Sequence, residues 1–280
     1  MALILIYNVP SEAFLITTNS ARGIALGNAT CVISGTGYAD AIFQNPAGLA
    51  VSSPAIMSAY NNNLGLPGYD IYSVAATGSI GRIGLGFAFN RENVTMKEAS
   101  KGSIVENGVR ENQIGFGLGC SFGENFKAGF SIWNFDRSLK LMEDDESYQS
   151  LSTGTAIDLG MVYDTEKWGL GFSAIGLPLQ MGKEEASPEY VIGLRFGKAN
   201  NLNLIIDGSL KEKLDGKYEL AINSGIEAWI LPNIALRLGV NQSKMVTAGI
   251  GTQTGRLVFD YAYKIHEAGN THYLTSSYVF

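Results

Sequence analysis

Through most of the chain after residue 54, apolar side chains recur at every second position, and the clearest of these rows carry no charge. In 257–265 one row is Leu257, Phe259, Tyr261, Tyr263 and Ile265, and the other is Val258, Asp260, Ala262 and Lys264. Ile234, Leu236, Leu238 and Val240 alternate with Ala235, Arg237, Gly239 and Asn241. Tyr218, Leu220, Ile222, Ile226 and Ile230 oppose Glu219, Asn223 and Glu227, and Tyr190, Ile192, Leu194 and Phe196 oppose Val191, Gly193, Arg195 and Gly197. A repeat of two is the period of a β-strand, whose successive side chains point to opposite faces.

In the middle of the chain glycine becomes the alternate partner. Ile83, Leu85, Phe87 and Phe89 alternate with Gly84, Gly86, Ala88 and Asn90. Ile114, Phe116, Leu118, Cys120 and Phe122 alternate with Gly115, Gly117, Gly119 and Ser121. Ile157, Leu159, Met161 and Tyr163 oppose Asp158, Gly160, Val162 and Asp164. A soluble sandwich also buries one face, but its other face is rich in Lys, Glu and Thr. Here the second face is mostly Gly, Ala and Ser, which suits a crowded, enclosed lumen. A charge on the lipid face of a barrel costs roughly 2–4 kcal/mol at mid-bilayer and little on the lumen face.

Composition supports dispersal of the apolar residues. They make up 46% of the 280 residues, and charged residues only 16%. No run reaches the roughly 18 apolar residues of a membrane-spanning helix. The net charge is −6 without a basic tract, which argues against nucleic acid as a partner. Cys31 and Cys120 form no metal-binding spacing and read as two small buried residues.

Fourteen strands are expected, at 54–61, 70–78, 81–91, 111–122, 125–136, 154–163, 167–175, 189–197, 201–211, 216–230, 232–241, 245–251, 256–265 and 271–280. The fold class is therefore all-β: a transmembrane antiparallel barrel, even in strand number and free of edges. Connections alternate in length. Those at 61–69, 92–110, 139–153 and 176–188 are long; those at 78–81, 123–125, 164–166 and 198–201 are tight. Long loops on one side and short turns on the other are usual for such barrels. The acidic run Glu143–Glu146 reads as a solvated loop. The alternation turns Asp158, Arg195, Asp207, Glu227 and Arg237 toward the lumen, with Arg22 and Phe43 of the N-terminal segment as further lumen candidates. The chain ends with Tyr278 and Phe280 on one face, a pattern that resembles the insertion signal read by the outer-membrane assembly machinery.

The first fifty residues do not read as a strand series. Met1–Tyr7 is apolar but short and lacks a basic start, and 1–13 is taken as the remnant of an export signal. Residues 38–44 suit one or two helical turns. Asn45 before Pro46 ends them, since proline disfavours helical geometry at the preceding residue, and Asn45 can cap a second turn that begins at Pro46. The runs Ala21-Arg22…Leu26-Gly27-Asn28-Ala29 and Ala39-Asp40-Ala41-Ile42-Phe43-Gln44-Asn45-Pro46-Ala47-Gly48-Leu49 resemble the start of PorV/PorQ-like proteins, relatives of the FadL long-chain fatty-acid transporters. Asn28 stands where those proteins usually carry glycine. The resemblance implies a fourteen-stranded barrel (54–280) with residues 14–53 folded inside as a hatch. Its motif maps to Asn45, Pro46, Ala47, Gly48 and Leu49. The inward glycines 84, 86, 115, 117 and 119 fit that expectation, because glycine lets another backbone approach. Arg22 is expected to pair with a lumen acid such as Asp158 or Glu227.

No catalytic residue, cofactor or metal is expected. His266 and His272 have no carboxylate or cysteine framework nearby, and neither a Gly-x-Ser-x-Gly elbow nor a P-loop occurs. Three functions remain open. The first is a plugged outer-membrane channel for hydrophobic or small solutes, with membrane lipid, the assembly machinery and a hydrophobic ligand as partners. The second is a non-transporting scaffold at the outer membrane that partners a secretion-complex protein. The third, a soluble β protein, is favoured only by the missing full signal.

Overall fold

A computed structural model of the chain describes residues 20–32, 39–100, 103–140, 149–181, 188–197, 201–212, 217–242, 245–266 and 269–280. The expected signal remnant at 1–13, the start of the expected hatch at 14–19 and the acidic run 143–146 lie outside these residues. Among the described residues, strands β1 (Ala55–Asn62), β2 (Tyr69–Ile80), β3 (Ile83–Ser100), β4 (Ser103–Phe122) and β5 (Phe126–Lys140) come first. They are followed by β6 (Gln149–Asp164), β7 (Trp168–Met181), β8 (Glu189–Gly197), β9 (Leu202–Glu212) and β10 (Tyr218–Leu231). The series ends with β11 (Ile234–Val240), β12 (Val246–Thr254), β13 (Leu257–Lys264) and β14 (Thr271–Val279).

Each strand pairs antiparallel with its neighbours in sequence, and β1 pairs with β14 to close the barrel. The closing seam runs from Ala55 opposite Val279 to Asn62 opposite His272. All fourteen strands fall on the stretches that alternate. The largest departure is at 92–110, expected as a long loop. There the β3–β4 ladder continues from Glu92 opposite Glu111 to Ser100 opposite Ser103. The physical reason is that a hairpin projecting past the apolar belt needs no apolar face. Polar pairs hold it together: Arg91 Nε donates to Asn112 Oδ1 (2.8 Å), and Arg110 Nε donates to Asn93 Oδ1 (3.1 Å). In the same way β5 extends to Lys140, β6 starts at Gln149, and β7 runs on to Met181.

The distribution of exposure is the reverse of a water-soluble protein's. Large apolar side chains of the outward rows stay exposed, among them Phe116, Ile192, Leu236, Leu238 and Phe259. The buried set includes Asn90, Gln113, Ser131, Asp158, Asp207, Glu227, Arg237 and Asp260. An apolar belt around a polar interior is stable only where the belt meets lipid, and closure leaves the backbone no unpaired strand edge there. No described helix is long and apolar enough to cross a membrane. Cys120 departs from expectation. It is half-buried in the outward row of β4, whereas Cys31 is buried.

A charge placed on the belt tests this architecture. Leu236→Arg is expected to cost about 2–4 kcal/mol of folding free energy in vesicles, the lipid-face penalty at mid-depth. Denaturant titration in lipid vesicles, compared with the wild-type chain, measures it. A change below half a kcal/mol contradicts a lipid-facing Leu236.

Candidate functional site

The described N-terminal segment is short-range structure that buries itself against the inward faces of the strands. Helix α1 (Ala21–Ala25) starts at Ser20, whose hydroxyl accepts the Gly23 N–H at 3.1 Å. Gly27 and Asn28 come next, both with φ of +66°. In that left-handed region glycine is the default and asparagine the best-tolerated substitute. This explains how Asn28 can replace the glycine usual in the resembled family. Gly27 has no such latitude, because a Cβ there would lie 2.6 Å from the Val240 carbonyl.

Residues Ala39–Phe43 form one 3-10 turn and Pro46–Val51 a second. Asn45 joins them. Its backbone is extended, as the residue before proline prefers. Its Oδ1 accepts the Ala47 N–H (3.0 Å), and its Nδ2 donates to the carbonyls of Cys31 (2.8 Å) and of Phe172 on β7 (3.2 Å). One side chain therefore caps a turn, ties it to the preceding stretch and anchors both to the barrel wall.

The second turn lies against glycines. The Leu49 backbone meets Gly84, and the Leu49 side chain reaches 2.8 Å from the Cβ position of Gly86 and 2.7 Å from that of Gly117. The Ala50 nitrogen lies 2.5 Å from that of Gly119, and the Ala47 nitrogen 2.8 Å from that of Gly129. Pro46 and Asn45 fill the space over Gly160. A methyl group at several of these sites would meet backbone, which cannot swing aside. Gly115 is different from its expected role. The Trp133 indole, 2.6 Å from its Cβ position, occupies its space, and the segment does not. Trp133 in turn packs on Phe43, with ring centroids 5.6 Å apart. Ala47 and Leu49 are wholly buried, and Gly48 is buried beside them, its carbonyl accepting the Ser52 hydroxyl at 3.0 Å.

Buried charges fasten the other end. Arg22 grips Glu227 on β10 through Nε (3.0 Å) and Nη2 (3.1 Å). Arg237 on β11 donates Nε to the same Glu227 (2.9 Å) and Nη1 to Asp260 on β13 (2.6 Å). The four side chains are 0–9% exposed, so solvent does little to screen them. Of the two acids considered for Arg22, the partner is Glu227. Asp158 serves another purpose. It accepts from Trp133 Nε1 (2.7 Å), Ser131 Oγ (3.0 Å) and the Gly176 N–H (2.8 Å), the last where β7 bulges against β6. Asp207 on β9 accepts the N–H groups of Thr30 (2.6 Å) and Cys31 (2.8 Å). Arg195 on β8 pairs with Asp164 (2.6 Å) and reaches Asn203 (3.1 Å). Burial pushes the Cys31 thiol up to about 12, with the Asp207 charge adding to it, so it is unreactive at neutral pH. Tyr278 and Phe280 face outward with rings 5.1 Å apart, and the Phe280 N–H donates to the Pro54 carbonyl at 2.9 Å.

Between the segment and the long-connection end of the barrel lies a cavity of about 390 Å³. Ile24, Asn28, Thr30, Cys31, Phe43 and Gln44 of the segment line one side of it. Glu92, Glu189, Lys211, Glu219 and Lys264 are among the strand residues that line the rest. Sequence reasoning singled out none of these five as site residues. The signal was present in the alternation, which puts Glu219 and Lys264 on the inward rows, but alternation does not say which inward residues face open space.

Glu227→Ala would leave Arg22 and Arg237 buried without a shared carboxylate. Removing one partner of a buried pair costs about 3–5 kcal/mol. The expected outcome is faster trypsin cleavage after Arg22 in the folded barrel, read by mass spectrometry. Wild-type cleavage kinetics in Glu227→Ala contradict the anchoring role.

No family model matches the chain, and no curated protein matches it. Solved structures do. The Pseudomonas putida toluene transporter TodX superposes with a TM-score of 0.73 at 11% identity, covering 94% of this chain and 99% of its own. The monoaromatic hydrocarbon channel CymD gives 0.69 at 12% identity, covering 96% and 99%. A Pseudomonas aeruginosa FadL homologue gives 0.67 at 12% identity, covering 95% and 99%. The chain thus has the fold of the FadL-type hydrocarbon channels over nearly its whole length.

Proposed function

We propose that the protein is an outer-membrane β-barrel of the PorV/FadL-like kind that works as a plugged channel for hydrophobic or small solutes. The barrel is 54–280. Residues 14–53 are the plug, docked through Asn45, Pro46, Ala47, Gly48 and Leu49 and latched through Arg22 and Glu227. Tyr278 and Phe280 are offered to the assembly machinery. One observation carries the reading: a segment buried inside a closed barrel borders a cavity lined on the other side by strand residues. Barrel lumens are either open and water-filled or plugged by an insert, and an insert beside a cavity is the arrangement of a plugged passage. The fold shared with TodX and CymD, whose names state hydrocarbon transport, supports the channel reading and a hydrophobic solute as its cargo.

A second reading, a non-transporting scaffold, draws on the tightness of the plug. Leu49, Ala50 and Pro46 leave little room against Gly84, Gly119 and Gly129. Liposome swelling separates the two. The purified chain in liposomes is expected to admit solutes of amino-acid size. Arg22→Ala, which frees one end of the plug, is expected to raise the rate several-fold. Liposomes that stay impermeable with both proteins exclude the channel and leave the scaffold.

A further inference from the structure

One plug residue stands apart from its neighbours. Of residues 20–32 and 39–50, all but Asn28 are buried, and Asn28 lies on the cavity lining. Its φ of +66° suits glycine better than any residue with a Cβ, and the resembled family usually carries glycine there. The turn does not need the amide. Backbone bonds close it, from the Gly27 N–H to the Ile24 carbonyl (2.9 Å) and from the Asn28 N–H to the Gly23 carbonyl (3.0 Å). The Asn28 side chain itself makes no hydrogen bond to a described residue. A side chain held in an uncommon backbone region, exposed to a cavity and unused by the turn, is placed for a guest.

A second amide borders the same part of the cavity. A Cβ on Gly27 would lie 2.8 Å from the Ser224 carbonyl, which sets the following Asn28 against the wall close to Asn223 of β10. Asn223 is half-buried and also lines the cavity. Its Oδ1 accepts the Gln242 N–H at 3.0 Å, so its Nδ2 is left as a donor. Together the two side chains offer donors and an acceptor but no charge. Ile24 and Phe43 of the plug, with Ile175 and Val191 of the wall, add an apolar side to the lining. The charged lining residues are of both signs, and Lys211 stands in register between Glu189 and Glu219, so neither a cation nor an anion is favoured.

We propose that Asn28 is a specificity residue of this channel, and that the cavity takes an apolar solute carrying one uncharged hydrogen-bonding group, an alcohol or an amide. Asn28 and Asn223 meet that group, and the apolar lining covers the body of the solute. The proposal rests on the channel reading of the same site and narrows its hydrophobic cargo.

Titration calorimetry on the full chain in one detergent tests it. The probes are benzyl alcohol, toluene, benzylamine and benzoate, which share a ring and differ in the group attached. Benzyl alcohol is expected to bind about fivefold more tightly than toluene, the yield of a single net hydrogen bond, and more tightly than either charged probe. In Asn28→Gly, a residue suited to this backbone conformation, benzyl alcohol and toluene are expected to bind alike. Partition into the micelle is the same for both chains and cancels in that comparison. Asn223→Ala is expected to narrow the ratio as well if Asn28→Gly does not fold, folding being read by heat-dependent gel mobility. A merely structural Asn28 would move the unfolding and leave the ratio of the two affinities alone. The proposal is overturned by a benzyl alcohol preference that persists in the folded variant. Equal binding of benzyl alcohol and toluene to the wild-type chain, tightest binding of a charged probe, or no binding at all overturns it too. Liposome swelling keeps the two claims apart. Swelling with a ratio that ignores Asn28 sinks the specificity role and spares the channel, and an Asn28-dependent ratio without swelling does the reverse.

Discussion

The pairing of β1 with β14 is the contact on which the rest of the molecule depends. Without it the ladder would end in two rows of unpaired backbone N–H and C=O groups, and lipid offers neither donors nor acceptors. With it, the alternation along every strand acquires a meaning. One row faces hydrocarbon around the full circumference. The other faces a space that the protein itself must fill. Outward Leu236 and Phe259 and inward Arg237 and Asp260 are the two results of a single closure.

The narrowness of that space and the charges it holds dictate its filling. Backbone must approach backbone, so the strands under the second 3-10 turn carry glycine at 84, 119, 129 and 160. Charges must find one another, so Arg22, Glu227, Arg237 and Asp260 form one connected chain through α1, β10, β11 and β13. Such a chain adds less net stability than its short distances suggest, because desolvation offsets most of the attraction. Its value is specificity. An N-terminal segment docked in another register would strand a guanidinium. Where the segment stops, a cavity of about 390 Å³ remains.

The strands were legible in the sequence because their period survives any tertiary arrangement. Tyr218 to Ile230 reads as a strand whether or not one knows what Glu227 touches. The projecting β3–β4 hairpin was not legible, since Glu92 to Arg110 has no apolar row and polarity alone looks like a loop. Asn45-Pro46 announced a break and a cap from local geometry. That the same Asn45 also reaches the Phe172 carbonyl, 127 residues away, could not be seen there.

The sequence by itself determined which residues face out and which face in, where the chain turns, and that the N-terminal segment differs from the strands after it. These are local properties, set by side-chain period and by the backbone limits of proline and glycine. Only the tertiary structure decided that Glu227 rather than Asp158 receives Arg22, that Trp133 rather than the segment covers Gly115, and that Gln44 and Asp207 border one cavity. Those outcomes depend on the strand number, the register and the closure that bring distant inward rows together. Pairwise contact across a lumen has no period for a sequence to display.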